Sequence, residues 1–149
     1  MDERRDAIIS IRPPYAEAIL DGAKTIELRR RIPSLSVGTT LWIYATKPVG
    51  AVIGLARVQR IVRGDPEQIW LDFGHAAAID RVSYEAYFSG ADEAIGIILA
   101  DVERSEEFVE IEKLRTIREG FHPPQVLMWI SGTEAQNLRQ LTDGSGSLV

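Results

Sequence analysis

The stretch "DGAKTIELRRR", residues 21–31, joins a turn signal to a strand-like alternation of apolar and charged side chains. Asp-Gly is a frequent turn dipeptide, and after it Ile26 and Leu28 alternate with Glu27 and Arg29. Successive side chains of a strand point to opposite faces of the sheet. We therefore expect a strand at 25–30 whose Ile26 and Leu28 enter the core. Glu27 and Arg29 would then lie about 7 Å apart on the outer face.

The charges of this strand allow two interpretations. Lys24, in the turn, can reach the outer face, so that Glu27 would lie between the two cations Lys24 and Arg29. A carboxylate held in this way stays ionised, and the cations keep donors for a phosphate or a base edge. The alternative is an exposed strand with a surface ion pair worth about 0–1 kcal/mol. Spacing alone favours this second interpretation.

Length and composition indicate one globular domain. The chain has 149 residues, of which 45% are hydrophobic, enough for a single core. We expect a domain at 1–141 and a flexible C-terminal tail, "TDGSGSLV", at 142–149. No apolar run approaches the roughly 18 residues of a membrane span, and the charged N-terminus is not followed by the apolar core of a signal peptide. A cytoplasmic protein without membrane contact is the expectation.

The same composition leaves little material for a metal site. There is no cysteine, and the two histidines, His75 and His122, are far apart in sequence. Disulfides and thiolate zinc sites are thereby excluded, and a multi-histidine site is not expected. We expect no metal and no other cofactor.

The net charge of −5 conceals an asymmetry between the two halves of the chain. Residues 1–64 hold eleven Lys/Arg and six Asp/Glu, whereas residues 65–149 hold six Lys/Arg and sixteen Asp/Glu. If the basic half forms one surface, that surface attracts phosphate although the whole chain is acidic. The alternative is that the two kinds of charge intermix in three dimensions.

Apolar runs and turn signals predict the order of the elements. Strands are predicted at 7–11, at 25–30, within 36–46 after a turn at Gly38, at 50–62, from about 93, and at 125–131. Helices are predicted at 13–22, 64–73, 82–90 and 133–141, with 112–121 ambiguous. Prolines open the first helix, Asp65 caps the second, Thr133 caps the last, and Gly54 marks a bulge. Because strands and helices do not alternate strictly, we expect an α+β fold. Its sheet would be a mostly antiparallel β-barrel of five or six strands, flanked by helices.

Four ordered segments carry a family resemblance. "SIRPPYAEAILDGAKTIELRRR", "LWIYATKPVGAVIG", "YFSGADEAIGIIL" and "FHPPQ" together resemble the ASCH domain of the PUA-like superfamily, from about Ile8 to Ile130. The most specific element is the pattern GxKTxExR, formed here by Gly22, Lys24, Thr25, Glu27 and Arg29. The resemblance implies a small β-barrel with helices around it and a cleft beside the barrel.

The resemblance also implies a function. PUA-like domains commonly bind RNA or a modified nucleobase, one ASCH protein resembles a ribonuclease acting on single-stranded RNA, and many members are described as transcriptional or RNA-associated regulators. We expect this chain to bind RNA, single-stranded by preference, or a nucleobase, nucleoside or nucleotide, in a basic cleft beside the barrel. Turnover is left open at this point. If the protein is an enzyme, we expect a metal-independent hydrolase of single-stranded RNA.

Two other functions remain open. One is an amidohydrolase acting on an acylated nucleoside such as N4-acetylcytidine. However, the compact group with that activity resembles GxKTxTxR, with threonine where this chain has Glu27. The other is a protein-interaction adaptor in transcription or translation, which would use the acidic segment "DVERSEEFVEIEK". That segment is equally typical of a solvated surface.

The residue types that such a site needs are present around the motif. Lys24 and Glu27 are the candidate catalytic pair, because a lysine of lowered pKa or a carboxylate can accept a proton without metal. The candidates for ligand binding are a guanidinium and a ring beside the prolines, two lysines, a motif arginine, a tyrosine for stacking and a base-edge amide. These are Arg12, Tyr15, Lys24, Arg29, Tyr44, Lys47 and Gln125. Each has an ordinary alternative, such as core packing for the tyrosines and solvation for Lys47.

Overall fold

A six-stranded sheet organises the part of the chain that the computed structural model describes, residues 5–144. Its strands are Asp6–Ile11 (β1), Ile26–Arg29 (β2), Thr40–Ala45 (β3), Ala51–Gly64 (β4), Ala94–Glu110 (β5) and Leu127–Ile130 (β6). The helices are Pro13–Leu20 (α1), Pro66–Phe73 (α2), Arg81–Phe88 (α3), Ile111–Ile117 (α4) and Gly132–Thr142 (α5), with a short 3-10 turn at Gly74–Ala76. This α+β architecture confirms the predicted fold class.

The strand order is β2-β5-β4-β3-β1-β6. Within the described residues, β1 and β3 pair in parallel and the other four strand pairs are antiparallel. The end strands β2 and β6 do not pair with each other in this order, so the barrel-like sheet is not closed by backbone hydrogen bonds. An opening remains between β2 and the strands at the other end of the sheet.

Local sequence signals account for most element boundaries. Pro13 is the first residue of α1, where its missing N–H has no helical partner to lose. The Asp65 side chain accepts hydrogen bonds from the backbone N–H groups of Glu67 and Gln68 at the start of α2. Gly54 lies at a register shift of β4, and a Cβ there would be 2.5 Å from the Glu103 carbonyl oxygen. The predicted proline start of α1, the predicted Asp65 cap of α2 and the predicted bulge at Gly54 are therefore confirmed.

Other boundaries differ from the sequence prediction. The last helix is capped by Ser131 rather than Thr133, because Ser131 and Glu134 form a reciprocal capping box. The ambiguous segment 112–121 contains most of α4, whereas the strand predicted after the turn at Gly38 begins at Thr40, in agreement with that turn. The proposed tail at 142–149 overlaps the end of α5 at Thr142, and residues 145–149 lie outside the described residues.

Apolar side chains form three clusters around the sheet. The inner core lies between the sheet and α1 and includes Ile9, Ile19 and Ile97. A second cluster lies under α4 and α5 and a third under α2 and α3; we call them the α4–α5 core and the α2–α3 core. Because helices cover both faces of the sheet, either face of a strand can be buried. Within residues 5–144, no helix is long and apolar enough to cross a membrane.

The two faces of strand β2 point in the opposite directions to those predicted. Ile26 and Leu28 are buried as predicted, but they pack in the α2–α3 core rather than in the inner core. Glu27 is the register partner of Ile97 on β5, and cross-strand partners share a face. Glu27 and Arg29 therefore point to the inner side of the sheet.

Candidate functional site

A cleft of about 730 Å³ lies in the opening of the sheet, on the inner side of β2. The parallel strands β1 and β3 end at the same edge, where the Thr46 N–H donates to the Ile11 carbonyl at 3.0 Å. Pro124 and Gln125 reach this edge just before β6, which runs antiparallel to β1. The remaining walls come from the start of α1, from the segment Lys24–Arg29 and from α3. This volume lies within the range of ligand pockets.

Three charged side chains of the opening motif meet in this cleft. Arg29 binds the Glu27 Oε2 atom through Nε at 2.9 Å and through Nη2 at 2.8 Å. The Lys24 Nζ atom is 3.6 Å from the other carboxylate oxygen, Oε1. The exposed fractions of these side chains are 3% for Lys24, 8% for Glu27 and 13% for Arg29. This buried charged triad replaces the exposed ion pair that spacing alone favoured.

Arg29 also links the two ends of the sheet. Its Nη2 donates to the Ser10 carbonyl of β1 at 2.8 Å. The Ser10 hydroxyl in turn donates to the Pro124 carbonyl at 2.6 Å. A side-chain bridge from β2 to β1 and on to the segment before β6 therefore spans the opening that backbone pairing leaves. The positions of the triad and of Gln125 are tied together by this bridge.

Lys24 is held on three sides. Its Nζ donates to the Ala77 carbonyl at 2.8 Å, faces the Glu27 carboxylate and lies 5.1 Å from the centre of the Tyr15 ring. Burial lowers the pKa of Lys24 below its ordinary value of 10.5, and the Glu27 carboxylate opposes this shift without cancelling it. A lysine whose pKa is lowered gives up its proton more readily than a surface lysine does.

The two oxygens of Glu27 differ in their environment. Oε2 accepts a hydrogen bond from Arg29 Nε and has Arg29 Nη2 at 2.8 Å as an ion-pair contact, whereas Oε1 has Lys24 at 3.6 Å, beyond hydrogen-bond length. Oε1 therefore keeps acceptor capacity for another donor, while Arg29 fixes the orientation of the carboxylate. This asymmetry is what a positioned proton acceptor requires.

Six of the predicted site residues line the cleft. They are Arg12, Tyr15, Lys24, Glu27, Arg29 and Gln125. Arg12 lies at the junction of β1 and α1 and is exposed. Among residues 5–144 its guanidinium has no hydrogen bond, ion pair or ring contact, so it is available for an anion. Gln125 is also exposed at the rim.

The other two predicted residues do not line the cleft. Tyr44 is 1% exposed and packs in the α4–α5 core with Phe121, with ring centres 6.5 Å apart. Tyr44 shares a strand face with Trp42, as the alternation predicts, but α4 and α5 cover that face. No ring face of Tyr44 is open for base stacking. Lys47 is exposed on the loop after β3, outside the cleft lining.

Sequence reasoning missed the α3 wall of the cleft and the role of Ser10. Ser83, Ala86 and Tyr87 on α3 line the cleft beside the motif residues. They recur at positions i, i+3 and i+4, which share one helix face. That spacing was visible in "VSYEAYFSG", but nothing local indicated that this face would meet β2.

Within the described residues, no three His, Cys, Asp or Glu side chains are grouped as they would be around a metal ion.

Comparison with known proteins identifies similar chains. The ASCH domain family model matches residues 9–123. An ASCH domain-containing ribonuclease from Zymomonas mobilis subsp. mobilis is 40% identical over 140 residues, which is 94% of this chain and 94% of that protein. These matches cover the whole motif and most of the cleft.

Solved structures agree with this similarity. The crystal structure of ASCH from Zymomonas mobilis matches with a TM-score of 0.90 and 40% identity, covering 94% of this chain and 97% of that one. The N-terminal domain of Staphylothermus marinus McrB matches with a TM-score of 0.58 and 12% identity, covering 91% and 93% of the two chains. The second similarity concerns the fold alone.

Proposed function

The chain belongs to the ASCH domain family, and on that premise we propose that it binds single-stranded RNA in the cleft and cleaves it without a metal ion. The buried charged triad in an open cleft carries this proposal. The 40% identical relative from Zymomonas mobilis, which is named a ribonuclease, supports RNA as the substrate class. A purely structural ion-pair network has no need of an adjoining cavity of this size.

Binding would rest on the cleft residues whose polar groups are not already committed. The free guanidinium of Arg12 suits a phosphate, which arginine binds through two parallel hydrogen bonds. Gln125 offers an amide at the rim for a base edge. The Nε and Nη2 groups of Arg29 are already engaged by Glu27 and Ser10. Its other N–H groups therefore suit a second phosphate contact.

The proposed reaction is an intramolecular phosphoryl transfer. The 2′-oxygen attacks the adjacent phosphorus, the bond from phosphorus to the 5′-oxygen breaks, and the products are a 2′,3′-cyclic phosphate and a free 5′-hydroxyl. Glu27 accepts the 2′-hydroxyl proton through Oε1, and the ammonium of Lys24 donates a proton to the leaving 5′-oxygen. Arg29 and Arg12 stabilise the charge on the non-bridging oxygens. Both protons and all bonds are thereby accounted for.

An amidohydrolase acting on an acylated nucleoside would use the same Lys24 and Glu27 pair, and the same protein preparation can be assayed for that activity. The cleft volume of about 730 Å³ admits either a nucleoside or part of a strand, and the relative named a ribonuclease favours RNA. In the adaptor alternative, the acidic outer part of β5 would bind a partner protein. The triad residues have no role in that function.

Incubation of the protein with end-labelled single-stranded RNA in the presence of a chelator tests the proposal. We expect cleavage that persists in the chelator and leaves 2′,3′-cyclic phosphate and 5′-hydroxyl ends, read by mass spectrometry. DNA of the same sequence should bind but stay intact, because it lacks the 2′-hydroxyl. Cleavage of the DNA, or cleavage that stops in the chelator, would contradict the mechanism. Release of acetate from N4-acetylcytidine with no RNA cleavage would favour the amidohydrolase.

A further inference from the structure

Helix α3 presents an aromatic ring to the cleft that the proposed chemistry does not use. Tyr87 lines the cleft and remains 40% exposed. Its ring meets Phe88 edge-on, with centres 4.7 Å apart and planes at 77°. An edge-on neighbour leaves ring face available, and an aromatic face at a nucleic-acid cleft is a site on which an unpaired base can stack.

The other tyrosines near the motif cannot supply such a face as readily. The ring of Tyr15 already carries Lys24 at 5.1 Å, and Tyr44 is enclosed in the α4–α5 core. Tyr84 packs between Trp70 and Phe88, with ring centres 4.9 and 4.7 Å away. Within the described residues, Tyr87 is therefore the cleft ring that remains open to a ligand.

Arg30 fixes the backbone that carries this ring relative to the triad. It directly follows β2, and its Nη1 donates to the Tyr87 carbonyl at 3.0 Å and to the Ser89 carbonyl at 3.2 Å. These are carbonyls at the C-terminal end of α3, where a cation is favoured. The end of α3 is therefore fastened to the strand that carries Glu27 and Arg29. Holding the backbone of Tyr87 in place before the ligand arrives lowers the entropy lost on binding.

We propose that Tyr87 is the base-stacking platform of the cleft and that it makes the site selective for RNA with an unpaired base. This inference rests on the proposed function and specifies its substrate. The neighbouring side chains of the wall, Ser83 and Ala86, are small and leave room beside the ring. Arg12 and Arg29 hold the phosphates while the base lies on Tyr87. A base inside a duplex has both faces covered, so it cannot reach the ring.

Three variants and three probes test this inference. The variants are Tyr87→Ala, Tyr87→Phe and the control Val82→Ala, which is on the same helix, 78% exposed and outside the cleft lining. The probes are labelled single-stranded oligouridine, an abasic ribose-phosphate oligomer of the same length, and an RNA duplex. Thermal melting of each variant verifies that α3 stays folded.

Tyr87→Ala should weaken oligouridine binding by about 5- to 150-fold, the range for loss of one base–aromatic stack. The same protein sample should bind the abasic oligomer as the wild type does, which also shows that the cleft is intact. Tyr87→Phe and Val82→Ala should retain wild-type affinity for oligouridine. Wild type should prefer oligouridine to the duplex, and Tyr87→Ala should reduce that preference.

The outcomes that overturn this inference can be distinguished from failure of the proposed function. If the wild type binds oligouridine and Tyr87→Ala binds it equally well, or weakens the abasic oligomer to the same degree, Tyr87 is not a stacking platform although the proposed function stands. A Tyr87→Phe protein as weak as Tyr87→Ala would also overturn it, since the hydroxyl rather than the ring would then matter. If the wild type binds neither oligomer, the proposed function fails and this inference fails with it.

Discussion

Two partly buried ion pairs in this molecule contain the same groups but differ in what surrounds them. Arg118 and Glu134 join α4 to α5 through two parallel hydrogen bonds of 2.8 Å. In the cleft, Arg29 and Glu27 make contacts of 2.8–2.9 Å, with Lys24 added at 3.6 Å. Distance alone therefore does not separate the two sites.

The two ion pairs differ in how fully their polar atoms are hydrogen-bonded. Glu134 Oε1 also accepts from the Ser131 backbone, and Arg118 Nη2 also donates to the Trp129 carbonyl. The space beside this pair is about 10 Å³, which is less than a ligand needs. In the cleft, Glu27 Oε1 retains acceptor capacity beside about 730 Å³ of open volume.

The pKa directions express the same difference. Hydrogen bonds to Glu134 raise the pKa of Arg118, and those from Arg118 lower the pKa of Glu134, so both charges are reinforced. The pKa of Lys24 is lowered, because burial outweighs its carboxylate partner. A site that weakens the charge of its own lysine is suited to proton transfer, whereas a site that reinforces both charges is suited to holding helices together.

Replacing Lys24 should have the largest combined effect. Lys24→Ala should lower RNA cleavage by about 100-fold or more, because the proton donor is lost. It should also lower the free energy of unfolding by about 1–3 kcal/mol, since the buried Ala77 carbonyl loses its donor. Single-turnover cleavage and denaturant unfolding measure the two effects. A protein with wild-type cleavage would remove Lys24 from the mechanism.

Replacing Glu134 should have the converse effect. Glu134→Gln should lower the free energy of unfolding by about 1–2 kcal/mol, because the capping box and the charge-assisted bonds to Arg118 are weakened. Cleavage by the folded protein should stay at the wild-type level. Loss of cleavage without loss of stability would mean that the comparison assigns the two sites wrongly.

Salt dependence should distinguish phosphate binding from a buried base pocket. With two to four phosphate contacts, the log–log slope of single-stranded RNA binding against salt should be about −1.4 to −2.8. Arg12→Gln should make that slope less negative by about 0.7, and Glu134→Gln should leave it unchanged. Fluorescence anisotropy across salt concentrations measures it. A slope of zero would exclude phosphate contacts at the cleft.

The pH dependence of stability should differ between the two sites in its window rather than its sign. The pKa of Lys24 is lowered in the folded state, so the unfolded chain binds more protons between that pKa and 10.5. Wild type should therefore gain stability relative to Lys24→Met as the pH rises through this alkaline window. For Glu134, whose pKa is also lowered, stability relative to Glu134→Gln is present above 4.5 and is lost as the pH falls through the folded pKa. Urea unfolding as a function of pH measures both, and an alkaline window with no change would contradict the burial of the lysine.

The sequence predicts the elements and the residue types of the cleft better than it predicts their orientation. Capping by Asp65 and the alternation of Ile26 and Leu28 depend on neighbours in the chain, so they were readable. The side on which Glu27 points depends on α2 and α3 covering the opposite face, which alternation cannot reveal. The prediction that Tyr44 stacks on a base was wrong, and Tyr87 was missed, for the same reason: helices distant in sequence bury the first ring and leave the second open.

The central claim is that Glu27 of the cleft is the catalytic proton acceptor. Single-turnover cleavage of labelled single-stranded RNA by Glu27→Gln tests this claim most directly. The amide keeps the shape of the side chain and removes its capacity to accept the proton. We predict that RNA binding is retained, that the fold is retained and that the cleavage rate falls by about 100-fold or more. A Glu27→Gln protein that cleaves RNA at the wild-type rate would contradict the account and would make the charged triad a structural counterpart of Arg118 and Glu134.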